Sequence, residues 1–159
     1  PYRIPLTNEL NSVVDRNTRL DKKYYYDESS QYYDMLREGM TSTDTTYQLR
    51  RIYVRENKSN VSPTLTANMG TGGHNVPLIL DYENNIRKLT PEECLKLQGF
   101  PDDYVFPEDM ANGPRYKQAG NSVTVPVIKR IATNILKVLD GEDLQQEKTS
   151  DLQNGVLLN

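Results

Sequence analysis

The sequence predicts an α+β fold from three kinds of segment. Residues 47–58 and 76–80 have the alternating or continuous apolar character of strands. Residues 90–99 carry the start and stop signals of a short helix. Residues 126–139 repeat isoleucine at helical spacing, which predicts a longer amphipathic helix. Because strands occupy one stretch and helices others, an α+β architecture is favoured.

The composition fits one ordinary domain whose folded part is close to neutral. The chain has 159 residues and a formal net charge of −3. Residues 140–159 hold five acids and one base, so the remainder is not a polycation. Any contact with nucleic acid must therefore depend on where the basic residues are placed. The same last residues are polar and lack periodicity, and we expect a disordered acidic tail.

The compartment expected from the sequence is the cytoplasm. Cys94 is the only cysteine, which excludes an internal disulfide framework and favours a reducing compartment. The sequence shows neither a signal peptide nor an apolar run of membrane-spanning length, so no membrane partner is expected. Because the first residue is Pro1 and no Met precedes it, we expect a fragment or a processed chain.

Residues 1–46 are expected to form a connecting segment with short helices. A first helix is predicted around Glu9–Val14, and a second over residues 28–38, ended by Gly39. Three tyrosines, residues 24–26, follow two lysines. They could stack on nucleic acid. The favoured interpretation is that their rings pack at the approach to a helix while their hydroxyls face water.

The strand predicted over residues 47–58 is basic. Its only acid is Glu56, and its bases are Arg50, Arg51, Arg55 and Lys58. Arginine forks suit guanine edges and phosphates alike, which favours contact with nucleic acid. The alternative is a basic face that is simply solvated.

Residues 62–77 are rich in glycine and threonine. Thr64–Thr66 can form a strand, whereas the glycines at 70–73 predict a loop that approaches a ligand closely. No Gly-Lys-Ser/Thr follows, so a nucleotide P-loop is not supported. No cysteine or carboxylate lies at zinc-ligand spacing from His74, so hydrogen bonding in a loop is expected of it, not metal binding.

The helix within residues 90–99 is defined by signals at both ends. Gly99 can take the left-handed conformation that ends a helix, and Pro101 prevents continuation. Leu89 and Cys94 are spaced for a hydrophobic staple. The start combines an N-cap, a first-turn proline and a capping-box glutamate, namely Thr90, Pro91 and Glu93.

Residues 102–113 are expected to be an irregular acidic link before the last helix. Asn121 or Ser122 can cap that helix, and Pro126 is tolerated near its start. Its buried stripe is expected to contain Ile128, Ile131, Ile135 and Val138 or Leu139.

Three blocks resemble motifs of the DNA cytosine-5 methyltransferases, in the order that the family requires. Residues 87–101 (RKLTPEECLKLQGFP) resemble motif IX. Residues 62–77 (SPTLTANMGTGGHNVP) are similar to the target-recognition core, and residues 118–126 (QAGNSVTVP) resemble motif X. Together the blocks extend over about residues 47–139.

The resemblance implies a division of the chain. Residues 1–46 would be the connecting segment, 47–86 the target-recognition core, 87–139 the motif IX helix, linker and motif X helix, and 140–159 the tail. The core would be a small β-rich domain. The last helix would pack on a Rossmann-like methyltransferase domain that is absent from this chain.

The resemblance also implies site residues and partners. The start of the last helix would offer N–H groups to the carboxylate of S-adenosyl-L-methionine. The residues assigned to this cofactor site are Asn121, Ser122 and Val123. Simple capping is the alternative for the first two, and both roles can hold together. Double-stranded DNA would be bound by eleven residues: Arg50, Arg51, Arg55, Lys58, Thr64, Thr66, Asn68, Thr71, Gly72, Gly73 and His74.

The family's chemistry requires groups that this sequence lacks. In the family a cytosine is flipped out, a cysteine of a Pro-Cys loop attacks carbon 6, and a glutamate of Glu-Asn-Val assists. No Pro-Cys occurs here, and Glu56-Asn57 is followed by Lys58. Cys94 lies at a staple position in a helix, which is typical of a structural cysteine. No catalytic residue is therefore assigned.

The sequence thus predicts the C-terminal part of a restriction-modification-type methyltransferase. It would recognise DNA, and its recognition core is similar to those of enzymes that act on short GC-rich palindromes. It would act with a catalytic domain or subunit carrying motifs I–VIII. It is either one subunit of a split enzyme or a fragment of a longer one. Two alternatives remain: a sequence-specific DNA-binding module without catalysis, and a degenerate remnant.

Overall fold

The computed structural model describes residues 9–57, 61–71 and 76–141, without the side chain of Thr71. The expected acidic tail lies outside these residues, apart from its first two positions. The chain divides between Thr124 and Val125 into two compact units. The first contains a sheet and short helices, and the second contains one long helix.

The first unit contains four α-helices, four strands and two short 3-10 helices among the described residues. The α-helices are α1 (Leu10–Val13), α2 (Tyr33–Gly39), α3 (Pro91–Leu97) and α4 (Asn112–Asn121). The strands are β1 (Thr46–Leu49), β2 (Val54–Asn57), β3 (Pro77–Leu80) and β4 (Ile86–Lys88). The 3-10 helices are Lys22–Tyr24 and Met69–Thr71.

The strands form one antiparallel sheet in the order β2-β1-β3-β4. All residues of β1 and β3, its central strands, are buried. Along β3 the side chains alternate: Leu78 and Leu80 join a hydrophobic cluster with α2, whereas Ile79 joins a second cluster with α3 and α4. The sheet therefore has a core on each face, and the α+β class is confirmed.

The helix α3 confirms the start and stop signals in the sequence. The Thr90 hydroxyl accepts from the Glu93 N–H, and the Glu93 carboxylate accepts from the Thr90 N–H, which completes the capping box. Gly99 has a φ of 81°, and its N–H donates to the Lys96 carbonyl at 2.9 Å. The Phe100 N–H donates to the Leu95 carbonyl at 3.1 Å, so the helix ends in a Schellman motif.

The single strand predicted over residues 47–58 is wrong, because the segment folds back on itself. It forms the β1–β2 hairpin, in which Leu49 pairs with Val54 and the Arg50 N–H donates to the Tyr53 carbonyl at 2.9 Å. No glycine, asparagine or proline marks this turn, so the sequence gives no local sign of it.

Two further sequence predictions about extended and helical segments need correction. Residues 64–66 join no strand. The helix predicted over residues 28–38 begins only at Tyr33, after a turn closed by a hydrogen bond from the Tyr33 N–H to the Ser30 carbonyl at 3.0 Å.

The helix α4 was not predicted, because Gly113, Pro114 and Gly120 are poor helix formers. Pro114 lies in its first turn, where a missing N–H is tolerated. Burial of Tyr116 and Ala119 in the core compensates for the weak propensity. Packing against the core therefore stabilises this helix, and the local sequence does not reveal that packing.

The expected capping of the last helix by Asn121 or Ser122 is also wrong. Asn121 is the last residue of α4, and the Ser122 N–H donates to the Gln118 carbonyl at 3.0 Å as the C-cap. The second unit holds α5 (Val125–Leu139), which begins three residues later, with Pro126 in its first turn as predicted.

The helix α5 is amphipathic and none of its residues is buried. The predicted stripe residues Ile128, Ile131 and Ile135 are 45–55% exposed. In the described ranges no helix is both long enough and apolar enough to cross a membrane.

Candidate nucleic-acid and cofactor interface

The β1–β2 hairpin presents the predicted arginines to solvent. Arg51 and Arg55 are exposed and Arg50 is half-buried. None of them forms a salt bridge to another described residue. Their guanidinium groups are therefore available for an external anion. Lys58 lies outside the described residues.

The base of the hairpin is fixed to the start of the threonine-rich segment. The Thr46 hydroxyl donates to the Val61 carbonyl at 3.2 Å, and the Asn57 side-chain amide donates to the Thr46 carbonyl at 3.2 Å. The first bond connects the two regions predicted to bind DNA, because residues 61–71 continue directly from Val61, and the second closes the base of the hairpin itself.

We call residues 62–71 the recognition segment. Thr64 and Asn68 are exposed, and Thr66 is half-buried with its hydroxyl donating to the Asn68 side chain at 2.6 Å. Met69 is fully buried and anchors the segment to the core. Of the other predicted DNA contacts, Gly72, Gly73, His74 and the side chain of Thr71 lie outside the described residues.

The recognition segment lies directly against α4. A Cβ atom added to Gly120 would come within 2.2 Å of the Thr66 carbonyl carbon and oxygen, and within 2.5 Å of the Ala67 nitrogen. A Cβ atom on Gly70 would meet the Tyr116 side chain at 2.9 Å. The two backbones approach so closely only because glycine has no side chain.

Residues 121–123, which we call the cofactor turn, follow this contact immediately. Asn121 and Val123 are exposed, and the half-buried Ser122 donates its hydroxyl proton to the Ala119 carbonyl at 2.7 Å. The structure therefore brings the predicted cofactor residues next to Thr66 of the predicted DNA set, through Gly120.

Gln98 supports the cofactor turn, a role that sequence reasoning missed. Its amide nitrogen lies 3.4 Å from the Ala119 carbonyl and 3.5 Å from the Ser122 carbonyl, and donates to both. Its amide oxygen accepts from the Thr124 hydroxyl at 2.9 Å. The position of Gln98 at the C-cap of α3 was the available signal, but its partners lie more than 20 residues away.

A buried ion pair joins α3 to the strand before it. The Arg87 guanidinium donates to both Glu93 carboxylate oxygens at 2.8 Å, and the Asp15 N–H donates to the same carboxylate at 3.1 Å. The Arg87 side chain is fully buried. This network ties β4 and α3 to Asp15, which follows α1.

Cys94 is enclosed by the core beside this ion pair. Burial raises the pKa of its thiol, with a further contribution from the neighbouring Glu93 and Glu92 carboxylates. A thiol that remains protonated at neutral pH is a poor nucleophile, which agrees with a structural role for Cys94.

Comparison with known proteins gives a consistent result. Residues 4–137 match a family model described as C-5 cytosine-specific DNA methylase. The Type II methyltransferase M.Bsp6I of Bacillus sp. (strain RFL6) is 56% identical over 138 residues, which are 86% of this chain and 43% of that protein. M.DsaV of Dactylococcopsis salina is 30% identical over 92% of this chain and 40% of that protein.

A solved structure, the Entamoeba histolytica methyltransferase EhMeth, has a similar fold. Its TM-score is 0.57 at 15% identity, over 86% of this chain and 46% of that one. The chain thus spans less than half the length of these relatives. The family resemblance of the motif IX, recognition and motif X blocks is confirmed: the chain belongs to the C-5 cytosine-specific DNA methylase family.

Proposed function

We propose that this chain is the DNA-recognition part of a restriction-modification-type cytosine-5 methyltransferase. It would position duplex DNA for base flipping and methyl transfer by a catalytic domain or subunit carrying motifs I–VIII. The observation that supports the proposal is the contact at Gly120, where residues 66 and 67 lie against the end of the helix that leads into residues 121–123. In a methyltransferase these two functions must meet at the flipped base.

The DNA-binding role is supported by the exposed side chains of the first unit. Arg51 and Arg55 carry fork-shaped guanidinium groups that can bind guanine edges or phosphates in pairs of hydrogen bonds. Thr64 and Asn68 are exposed polar groups of the kind that contact phosphates and bases. We assign the remaining members of the predicted set to the same interface on the family resemblance: Arg50, Lys58, Thr66, Thr71, Gly72, Gly73 and His74.

The cofactor role is supported by the chemistry of the cofactor turn. Asn121 offers an exposed polar side chain, and Val123 offers an exposed apolar one. S-adenosyl-L-methionine has a charged amino-acid end and an apolar adenosyl body, so this pair of residues fits part of it. We assign Asn121, Ser122 and Val123 to the cofactor pocket, whose remainder would come from the catalytic domain. When bound, the cofactor supplies the methyl group.

The need for a catalytic partner is supported by α5 and by the missing Pro-Cys motif. The helix has a continuous apolar face on which no residue is buried. Such a face is normally covered by another protein surface. A catalytic domain that supplies the nucleophile would also supply this cover.

The decisive experiment is a methyl-transfer assay with labelled S-adenosylmethionine and GC-rich duplexes containing CCGG or CCNGG. The chain would be assayed alone and mixed with the part of M.Bsp6I that this chain does not match. We expect methyl transfer only in the mixture. A mixture that neither associates nor methylates would contradict the proposal.

A second candidate function is a DNA-binding module without catalysis. It is favoured by one observation: every described residue assigned to DNA lies in the first compact unit, which does not include α5. This function would be supported if the chain alone bound a specific DNA sequence independently of S-adenosylmethionine. The mixture with the M.Bsp6I part would then show no methyl transfer. A chain that neither binds DNA nor complements would be a degenerate remnant.

A further inference from the structure

A cavity in the first unit is lined by neither the recognition segment nor the cofactor turn. Its volume is about 710 Å³, which is within the range of protein cavities that hold organic ligands. One wall comes from residues 19–29 together with Tyr33, and the other from the turn between β3 and β4, residues 81–85. The proposed function leaves this cavity unused.

Both walls are fixed by hydrogen bonds. The Tyr26 N–H donates to the Ile86 carbonyl at 2.9 Å, which joins the first wall to β4. In the second wall, the buried Asp81 carboxylate accepts from the Glu83 and Asn85 N–H groups at 2.9 and 2.8 Å. The cavity is therefore formed before a ligand enters, and little conformational freedom would be lost on binding.

Four tyrosines line the cavity: Tyr25, Tyr26, Tyr33 and Tyr82. The first three are half-buried, and Tyr82 is 57% exposed. Tyrosine ring faces attract cations, and cages of aromatic rings bind organic ammonium groups. Two of these residues belong to the run of three tyrosines at 24–26, so part of that run borders a ligand-sized space.

The charged residues of the cavity favour a cation over an anion. Four carboxylates and two bases line it, which leaves a net charge of −2: Asp27, Glu28, Asp81 and Glu83, with Arg19 and Lys22. Lys22 is already paired with Asp27 at 3.6 Å. Glu28 is exposed and forms no salt bridge to another described residue. A phosphate backbone would be repelled here, so stacking on nucleic acid is disfavoured for these tyrosines.

The cation that fits this cavity is organic and carries more than one charge. Among the residues that the structure describes, no three His, Cys, Asp or Glu side chains are grouped to hold a metal ion. Carboxylates lie on both walls, at Glu28 and at Glu83, so one compact charge cannot satisfy the two sides as well as a chain with several. We propose that the cavity binds a polyamine, whose ammonium groups pair with these carboxylates while its methylene groups lie along the tyrosine rings.

The first test concerns the rings, by calorimetric titration of the full chain with spermidine. The salt is about 0.15 M NaCl, where long-range attraction between exposed charges is largely screened. Tyr82→Leu removes a ring and Tyr82→Phe retains it, and Tyr53→Leu is the matched control, since Tyr53 is 53% exposed and lies outside the cavity. We expect saturable binding that weakens about threefold to fivefold in Tyr82→Leu and is unchanged in the other two variants.

The second test concerns the carboxylates and compares two double variants of equal net charge. Glu28→Gln with Glu83→Gln changes one carboxylate on each wall, whereas Glu38→Gln with Glu108→Gln changes two exposed acids outside the cavity. The first pair should weaken spermidine binding about tenfold, and the second should not affect it. Both retain the five acids of residues 140–159, so nonspecific attraction to that stretch is the same.

Three results would overturn the polyamine site. Spermidine could show no saturable binding, or a test variant could bind it as well as its matched control. The third is equal affinity for spermidine and n-butylamine, because a single ammonium group would then suffice. We expect n-butylamine to bind at least about tenfold more weakly. None of these results bears on the proposed function, since the cavity shares no residue with the recognition segment or the cofactor turn.

Discussion

Arg87 and Glu93 form an ion pair whose two side chains are almost closed to solvent. The pair is bidentate at 2.8 Å, and the carboxylate also accepts from the Thr90 and Asp15 N–H groups. The guanidinium in turn donates to the Asp15 carbonyl. Five polar groups therefore depend on one buried network, and removal of a single member leaves the others uncompensated.

Arg87→Met should strongly destabilise the chain, because the Glu93 carboxylate would remain buried without its counter-charge. The expected loss in the free energy of unfolding is about 3–5 kcal/mol. The measurement is denaturant unfolding of the whole chain. Lys96→Met is the control, since its ion pair with Asp102 is largely exposed and should contribute less than about 1 kcal/mol. Similar losses in both variants would contradict the assigned role of burial.

At the scale of elements, α4 offers two glycines with opposite surroundings. A Cβ atom on Gly120 would collide with the Thr66 backbone, whereas a Cβ atom on Gly113 would meet nothing within 4 Å. Both residues lie in the same helix, so the helix propensity of alanine acts in the same direction at both. Any difference between the two substitutions therefore reports the contact with the recognition segment.

Gly120→Ala should displace the recognition segment, since backbone atoms at 2.2 Å cannot move aside without shifting the chain. We expect a loss of about 1–3 kcal/mol in stability and weaker DNA binding. Gly113→Ala should be neutral or slightly stabilising. Denaturant unfolding and DNA titration of both variants provide the comparison. The contact would be unimportant if both variants behaved alike in the two measurements.

The sequence predicted α3 well because its signals are local. The relevant residues, Thr90, Glu93 and Gly99, lie close together in the chain. The N-cap, the capping box and the signal that ends the helix can therefore be identified in the sequence. The β1–β2 hairpin was missed because its turn, Arg50–Tyr53, contains none of the residues that mark turns. In addition, β1 pairs with β3, which lies about 30 residues further along the chain, and a pairing over this separation leaves no local signal in the sequence.

The members of the candidate site are predictions from the family blocks, whereas two supporting residues emerged from the structure. Thr66 and Asn121 were assigned to the site because they lie in blocks that resemble the family's motifs. The roles of Gln98 and Gly120 are created by contacts between distant segments, from Gln98 to Ser122 and from Gly120 to Thr66. Both residues lie in the family blocks, but such contacts leave no periodicity or spacing in the sequence, so only the structure could identify their supporting roles.

At the scale of the whole molecule, α5 is a helix whose apolar face is not buried. Its apolar face contains Ile128, Ile131 and Ile135, each about half exposed. A helix of 15 residues is marginal in water unless its apolar face is covered. Under the proposed function, the catalytic domain provides that cover, so α5 should govern assembly and leave DNA recognition to the first unit.

Ile131→Asp should therefore abolish complementation while leaving DNA binding by the chain intact. A charge in the middle of the apolar face would be buried without a partner on docking, so association should weaken by more than about tenfold. Thr133→Asp adds the same charge about 200° round the helix, on the polar face, and should complement normally. Co-purification with the unmatched part of M.Bsp6I measures association, and gel shift measures DNA binding. If Ile131→Asp associated as well as Thr133→Asp, the apolar face would not be the docking surface, and the catalytic partner would have to bind elsewhere.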